Sequence, residues 1–232
     1  MKHLNSLFHT LALCAVVLFS HVQVSADGAI QIDGATVGHW TMDFDAAKEL
    51  AAEKELPILI NFTGSDWCGW CKLMDKKVFA DEAWKEFSGE YALLVTIDFP
   101  KDKSIVPEKY VERNKALKAE FGVRGYPTYI ILDSDGETRL GQLGASRDKT
   151  PESFIKEFEG VTRFSMANIQ AFIDTNPDKA EAYKAAIEKF KASTKALSDW
   201  IATRPEQNDE NMEKFKAFRK EIEAAEAVLA DF

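Results

Sequence analysis

Pro57-Ile58-Leu59-Ile60-Asn61-Phe62-Thr63-Gly64-Ser65-Asp66-Trp67-Cys68-Gly69-Trp70-Cys71-Lys72 is the stretch on which the reading of this chain turns. Its first part, Pro57 to Phe62, is a short apolar run, partly β-branched, bounded by proline and by Thr63-Gly64. That is the composition of a buried strand. Its second part sets two cysteines three residues apart where the strand yields to a helical stretch, Cys71 to Phe87, with a break expected near Ala80-Asp81. Cys68 then falls at a helix N-terminus, where free backbone N–H groups and the dipole favour negative charge. Such a setting lowers a cysteine pKa from ~8.5 to roughly 3.5–7.5, and the thiolate is the species that attacks a disulfide. Cys71, one turn in and more buried, stays a thiol until it resolves the mixed disulfide formed at Cys68.

Other uses of such a pair fit less well. A structural zinc site wants four Cys or His ligands, and after the leader described below only Cys68, Cys71 and His39 remain. Covalent haem attachment needs His directly after the second cysteine, where Lys72 stands. An inert structural disulfide across so tight a loop would constrain the unfolded chain little. No cofactor or metal is therefore expected.

Outward from the motif, the chain alternates. Asp43 to Glu55 reads as a helix, Tyr91 to Phe99 as a second buried strand and Glu108 to Phe121 as a charged amphipathic helix. Thr128 to Leu132 is a third strand, Ser134-Asp135-Gly136 a turn, Glu137 to Leu143 a fourth strand, and Pro151 to Glu159 a closing helix. Alternation followed by a hairpin implies an α/β fold, a mixed sheet with helices on both faces. Tyr126-Pro127, just before the third strand, suits a turn, and X-Pro is the one setting in which a cis bond is cheap; an ordinary trans proline leading a strand fits as well.

Both ends differ from this middle. Met1-Lys2-His3, the apolar run Leu11 to Phe19 and the small residues Val24-Ser25-Ala26 have the three-part layout of a secretory signal peptide, with the cut expected after Ala26. The apolar run is well short of the ~20 residues that span a bilayer. Residues 27–232 would remain, in a periplasmic or otherwise extracytoplasmic compartment where disulfides persist. From Val161 there are no glycines and no strand signals. Asn176-Pro177 reads as a helix start, with Tyr183, Ile187, Phe190, Leu197 and Ile201 along one stripe, Arg204-Pro205 as a stop, and Met212, Phe215, Ile222, Leu229 and Phe232 along a second helix. The expected organisation is a leader at 1–26, an α/β domain at 27–160 and a helical hairpin at 161–232. The hairpin either packs on itself and the first domain, or serves as a dimerisation or substrate-binding arm.

The whole chain of 232 residues is 46% hydrophobic and carries a formal charge of −9, with 17 basic against 25 acidic residues in 27–160 and 11 against 13 in 161–232. That balance argues against nucleic-acid binding and for a protein that meets other proteins.

Taken together, these residues resemble the thioredoxin-like superfamily, and in particular exported bacterial thiol:disulfide interchange proteins. Gly122-Val123-Arg124-Gly125-Tyr126-Pro127-Thr128 matches the family's cis-proline loop, Gly144-Ala145 its late glycine, and Phe62 to Lys72 with Val78-Phe79 its exported bacterial branch. The resemblance covers about Trp40 to Gly160 and leaves the tail outside. It implies a thioredoxin fold, Cys68 as nucleophile and Cys71 as resolving thiol. Tyr126 and Pro127 would lie against the redox-active disulfide, with the Tyr126 backbone pairing with an extended substrate. Trp67, Gly69 and Trp70 would frame the sulfur with apolar surface. The places of thioredoxin's buried Asp and its partner Lys hold Asn61 and Leu94, and Asp66 reads as a solvated loop carboxylate. Gly69-Trp70 lacks both thioredoxin's proline and the histidine of the isomerases. The implied activity is thiol-disulfide exchange, as reductase or isomerase of exported proteins fed by a membrane electron donor. A dithiol oxidase, or a non-enzymatic scaffold acting through the helical tail, are the alternatives.

Overall fold

Runs of β-branched and leucine residues buried on both faces build the centre of the molecule, which a computed structural model describes over residues 29–232. Strands β1 (Trp40–Thr41), β2 (Ile58–Thr63), β3 (Leu93–Asp98), β4 (Thr128–Leu132) and β5 (Arg139–Leu143) form one sheet in the order β1-β3-β2-β4-β5. β3 runs parallel to both β1 and β2, while β4 is antiparallel to β2 and to β5. Every residue of β2 and β3 is buried, as their near-continuous apolar composition requires.

Alternation of side chains along the strands divides the core in two. On one face Ile58, Ile60, Phe62, Leu93, Val95 and Ile97 meet α1 (Phe44–Lys54) and α4 (Glu108–Glu120) through Phe44, Ala47, Ala51 and Leu117. On the other, Leu59, Leu94, Tyr129 and Ile131 lie under Met74, Val78, Phe79, Trp84, Phe154 and Phe158. Those side chains come from α2 (Gly69–Met74), the π turn Asp75–Phe79, α3 (Glu82–Tyr91) and α5 (Pro151–Thr162). The helix that follows the cysteines breaks where expected: the π turn ends at Phe79, and Asp81 caps α3 by accepting the Ala83 N–H at 3.0 Å. The leader expected at 1–26 lies outside the described residues. Among those described, no helix is long and apolar enough to cross a membrane.

The tail differs from its expected form in one respect. Asn176-Pro177 does not open a long helix. An additional helix, α6 (Met166–Thr175), precedes it, and the Asn176 N–H closes α6 on the Phe172 carbonyl. Pro177–Lys179 is a 3₁₀ turn, and the long helix α7 runs Ala180–Ala202. Asn176 thus ends one helix and makes no side-chain cap to the next. α7 and α8 (Asp209–Leu229) form the hairpin. Phe164, Tyr183 and Ile187 are buried at its base with Ile169, Phe172, Phe190, Leu229 and Phe232 around them. Arg163 pairs with Glu226 at 3.0 Å, and the Met166 N–H donates to Asp133 at 2.9 Å, joining the tail to the loop after β4. At the far tip Ile201, Met212 and Phe215 are exposed.

Candidate active site

The loop between β2 and α2 is pinned residue by residue. Gly64 supplies a carbonyl that accepts the N–H groups of Trp67 and Cys68, at 3.2 and 2.8 Å. It also lies so close beneath the Trp67 indole that a Cβ there would stand 2.5 Å from ring atoms. The Ser65 N–H and hydroxyl both donate to the buried carboxylate of Asp98 at the end of β3. Asp66 accepts the N–H groups of Asp102, at 2.9 Å, and Lys101, at 3.0 Å, which hold its carboxyl below the usual range. Asp66 is therefore an anchor between the motif and the loop after β3, not simply a solvated carboxylate.

Cys68 stands at the N-cap of α2 in extended backbone conformation, and its Sγ accepts the Cys71 N–H at 3.1 Å. The two cysteines are joined in a disulfide with their Cα atoms 5.3 Å apart. Cys71 is fully buried, whereas Cys68 keeps 5% exposure. Cys68 is thus more recessed than an openly exposed nucleophile, while the tryptophans flanking it in sequence are half-exposed. Trp67 and Trp70 are 43% and 44% exposed. Gly69 between them is open, with nothing near the position of a Cβ.

The proline loop reaches the motif through aromatic contact. The Tyr126–Pro127 peptide is cis. Tyr126 meets Trp67 edge-on at 5.7 Å and lies 5.5 Å from Phe99, whose carbonyl accepts the Trp67 indole N–H at 2.9 Å. Trp67, Cys68, Trp70, Cys71, Tyr126 and Pro127 therefore come from two segments far apart in sequence and gather at one end of the sheet. The tail contributes none of these contacts.

Beneath α2 the sheet face is polar at the strand ends. Asn61 on β2 sits opposite Thr96 on β3 and Tyr129 on β4; Leu94 lies two residues back on the same face. Asn61 Oδ1, Thr63 Oγ1 and the Tyr129 hydroxyl are buried with no protein hydrogen-bond partner among the described residues. Burial, and secondarily Asp75, holds the Tyr129 hydroxyl protonated well beyond its ordinary range. Asp75, one helical turn after Cys71 on the same side of the helix, is exposed as a residue, yet atoms crowding its carboxyl and the charge of Asp98 push it up to about 6. Sequence reading missed Ser65, Asp75 and Asp98. The four-residue step from Cys71 to Asp75 is a helical spacing that could have flagged Asp75, whereas only the pairing of β2 with β3 brings Asp98 to Ser65 and the motif. No cluster of three or more His, Cys, Asp or Glu side chains able to hold a metal occurs among the described residues.

Known proteins share this architecture. Residues 44–162 match the thioredoxin-like domain family. The disulfide bond reductase DsbH of Chlamydia pneumoniae is 36% identical over 98 residues, 42% of this chain and 58% of that protein. The thioredoxin-related protein DsbJ of the same organism is 31% identical over 112 residues, 48% of this chain and 31% of that one. The matched stretch thus spans less than two thirds of either relative's length. A solved structure of a DsbH oxidoreductase superposes with a TM-score of 0.50 at 26% identity, covering 60% of this chain and 96% of the other.

Proposed function

Since the chain belongs to the thioredoxin-like domain family, with a Cys68–Cys71 pair in place, we propose that it is an extracytoplasmic thiol-disulfide oxidoreductase working as a reductase or isomerase of exported proteins. The observation that carries this reading is the recessed disulfide at the N-cap of α2, between half-exposed Trp67 and Trp70 in sequence and linked through Trp67 to Tyr126 of the cis-proline loop. In the reduced chain the Cys68 thiolate attacks one sulfur of a substrate disulfide. A Cys68–substrate bond forms as the substrate S–S bond breaks, and one substrate thiolate leaves. Cys71 then loses its proton and attacks Cys68, closing the Cys68–Cys71 bond and releasing the second substrate thiol. Two electrons pass to the substrate, and a dithiol donor, here a membrane electron carrier, must restore the pair. The Tyr126 backbone would pair with the extended substrate beside its disulfide.

The name of the DsbH relative, a reductase, supports this direction over a dithiol oxidase. The layout of residues 1–26 supports export. The domain division is proposed as 27–160 for the exchange chemistry and 161–232 for a helical extension, whose uncovered tip at Ile201, Met212 and Phe215 is the surface available to a second copy or a scaffold partner.

The deciding experiment is the reduction potential of the Cys68–Cys71 pair, with Cys71→Ala run alongside as a trap. A value near about −270 mV supports the reductase, and one near about −120 mV the oxidase. Cys71→Ala should accumulate mixed disulfides, and capture of none would favour the scaffold. Disulfide reduction that survives Cys68→Ser would remove Cys68 as nucleophile.

A further inference from the structure

Five cations crowd the redox end of a domain that is otherwise acidic. Arg147 lies over the Trp70 ring at 5.8 Å, and its carbonyl accepts from Lys77 Nζ at 2.8 Å. Lys72 Nζ donates to the Asp66 carbonyl at 2.6 Å, beside Trp67. Lys118 stands over the Tyr126 ring at 4.9 Å, and exposed Arg124 is two residues from Tyr126. Elsewhere on the domain Lys48, Lys54, Lys85, Lys109, Lys115 and Lys149 each have a carboxylate within ion-pair distance. Among the described residues, none of the five at the redox end has one.

The carboxylates nearby form no ion pair with them: Asp66 keeps its charge and accepts backbone N–H groups, Asp98 is buried against Ser65, and Asp148 has no ion-pair partner among the described residues. Six of the seventeen cations in 27–160 pair with a carboxylate, and the five at the redox end belong to the remainder that do not, gathered beside the tryptophans. Left without ion pairs around two half-exposed tryptophans, they set cationic groups beside apolar surface. Charge complementarity of this kind selects partners and speeds encounter.

We propose that the rim formed by Lys72, Lys77, Lys118, Arg124 and Arg147 selects disulfides flanked by acidic residues, so that the partner at this face is an extended, Asp/Glu-rich polypeptide segment. The segment's carboxylates meet the rim while its apolar side chains lie against Trp67 and Trp70. The domain as a whole is acidic, so such a segment finds its favourable contacts at the rim, beside Cys68. The Debye length is about 10 Å at 0.1 M salt, so at moderate ionic strength the rim outweighs the distant net charge. The substrate preference rests on the exchange chemistry proposed above; the docking does not.

The test uses the full chain and two synthetic peptide disulfides of identical core sequence, one with Glu flanks and one with Lys flanks. Binding is read separately, by anisotropy of labelled thiol-free versions of both peptides on the oxidised protein. The acidic peptide should bind and be reduced at least about tenfold better at 50 mM salt, and the gap should shrink severalfold at 500 mM. The double variant Lys77→Glu/Arg147→Glu should lose most of the preference. Lys54→Glu, the same change at the opposite end of β2, should retain it. Equal binding of the two peptides, or a preference for Lys flanks, overturns the docking inference whether or not turnover is seen. Tighter binding to vesicles containing about one-third anionic lipid, with no discrimination between peptides, overturns it in favour of a membrane surface. Preferential binding without any reduction leaves the rim standing and fails the oxidoreductase reading instead.

Discussion

At the scale of single residues, the site depends on two positions that do no chemistry of their own. Gly64 is required because the Trp67 indole lies where its Cβ would be, ring atoms at 2.5–2.7 Å. Gly64→Ala should push Trp67 off Tyr126 and break its bond to the Phe99 carbonyl. We expect a shifted tryptophan emission, a stability loss of about 1–3 kcal/mol and exchange slowed by about tenfold. An unchanged emission would show that Trp67 can share the space. Asp75 is the second. Its folded pKa of about 6 lies above the ordinary 3.8. Between these values Asp75 binds more protons in the folded than in the unfolded chain, so its own contribution to stability is greatest below about pH 4 and is lost as pH rises through about 6. Asp75→Asn should remove this falling component, so that relative to the parent its melting temperature gains progressively from about pH 4 to about pH 6 and stays higher near neutrality. Thermal melts at stepped pH decide this, and a slope like that of the parent protein would refute it.

Helix ends are where local sequence and tertiary position must agree at the scale of elements. Thr150 and Ser153 form a reciprocal capping box at the start of α5, with Pro151 at the first helical position. α5 carries Phe154 and Phe158 onto the face that supports α2, so its cap bears on the redox end only through packing. Thr150→Ala should cost about 1 kcal/mol in denaturant unfolding and leave the reduction potential unmoved. The central strands are legible as apolar runs bounded by breakers, and most helices as repeating apolar stripes. Two elements are not. β1 is two residues long, too short to show alternation, and exists because Trp40 and Thr41 find ladder partners on β3. α6 was hidden because Asn176-Pro177 looked like a start, when the asparagine was terminating the helix before it.

For the whole molecule, the question is how firmly the tail belongs to the rest. Its base is a small core of its own: Ile187 is 2% exposed, whereas Met212 at the tip is 51% exposed. Ile187→Ala should cost about 2–5 kcal/mol. Met212→Ala should change stability by no more than about 0.5 kcal/mol. Comparable losses at both sites in urea unfolding would mean that the tip is covered in solution.

The redox pair and its scaffold are written in the linear chain. Two cysteines at a strand-to-helix junction, alternation of apolar runs and a proline before a strand are all local patterns, and local patterns survive in a linear string. The tertiary structure alone decided how those parts meet. Parallel pairing of β2 with β3 brings Asp98 to Ser65. The antiparallel return of β4 brings Tyr126 onto Trp67. The open ring of lysines and arginines is invisible in a list of charges, because pairing is a matter of distance. The sequence specifies which groups exist, and the distances between them, which set their energies, arise only when the sheet is assembled.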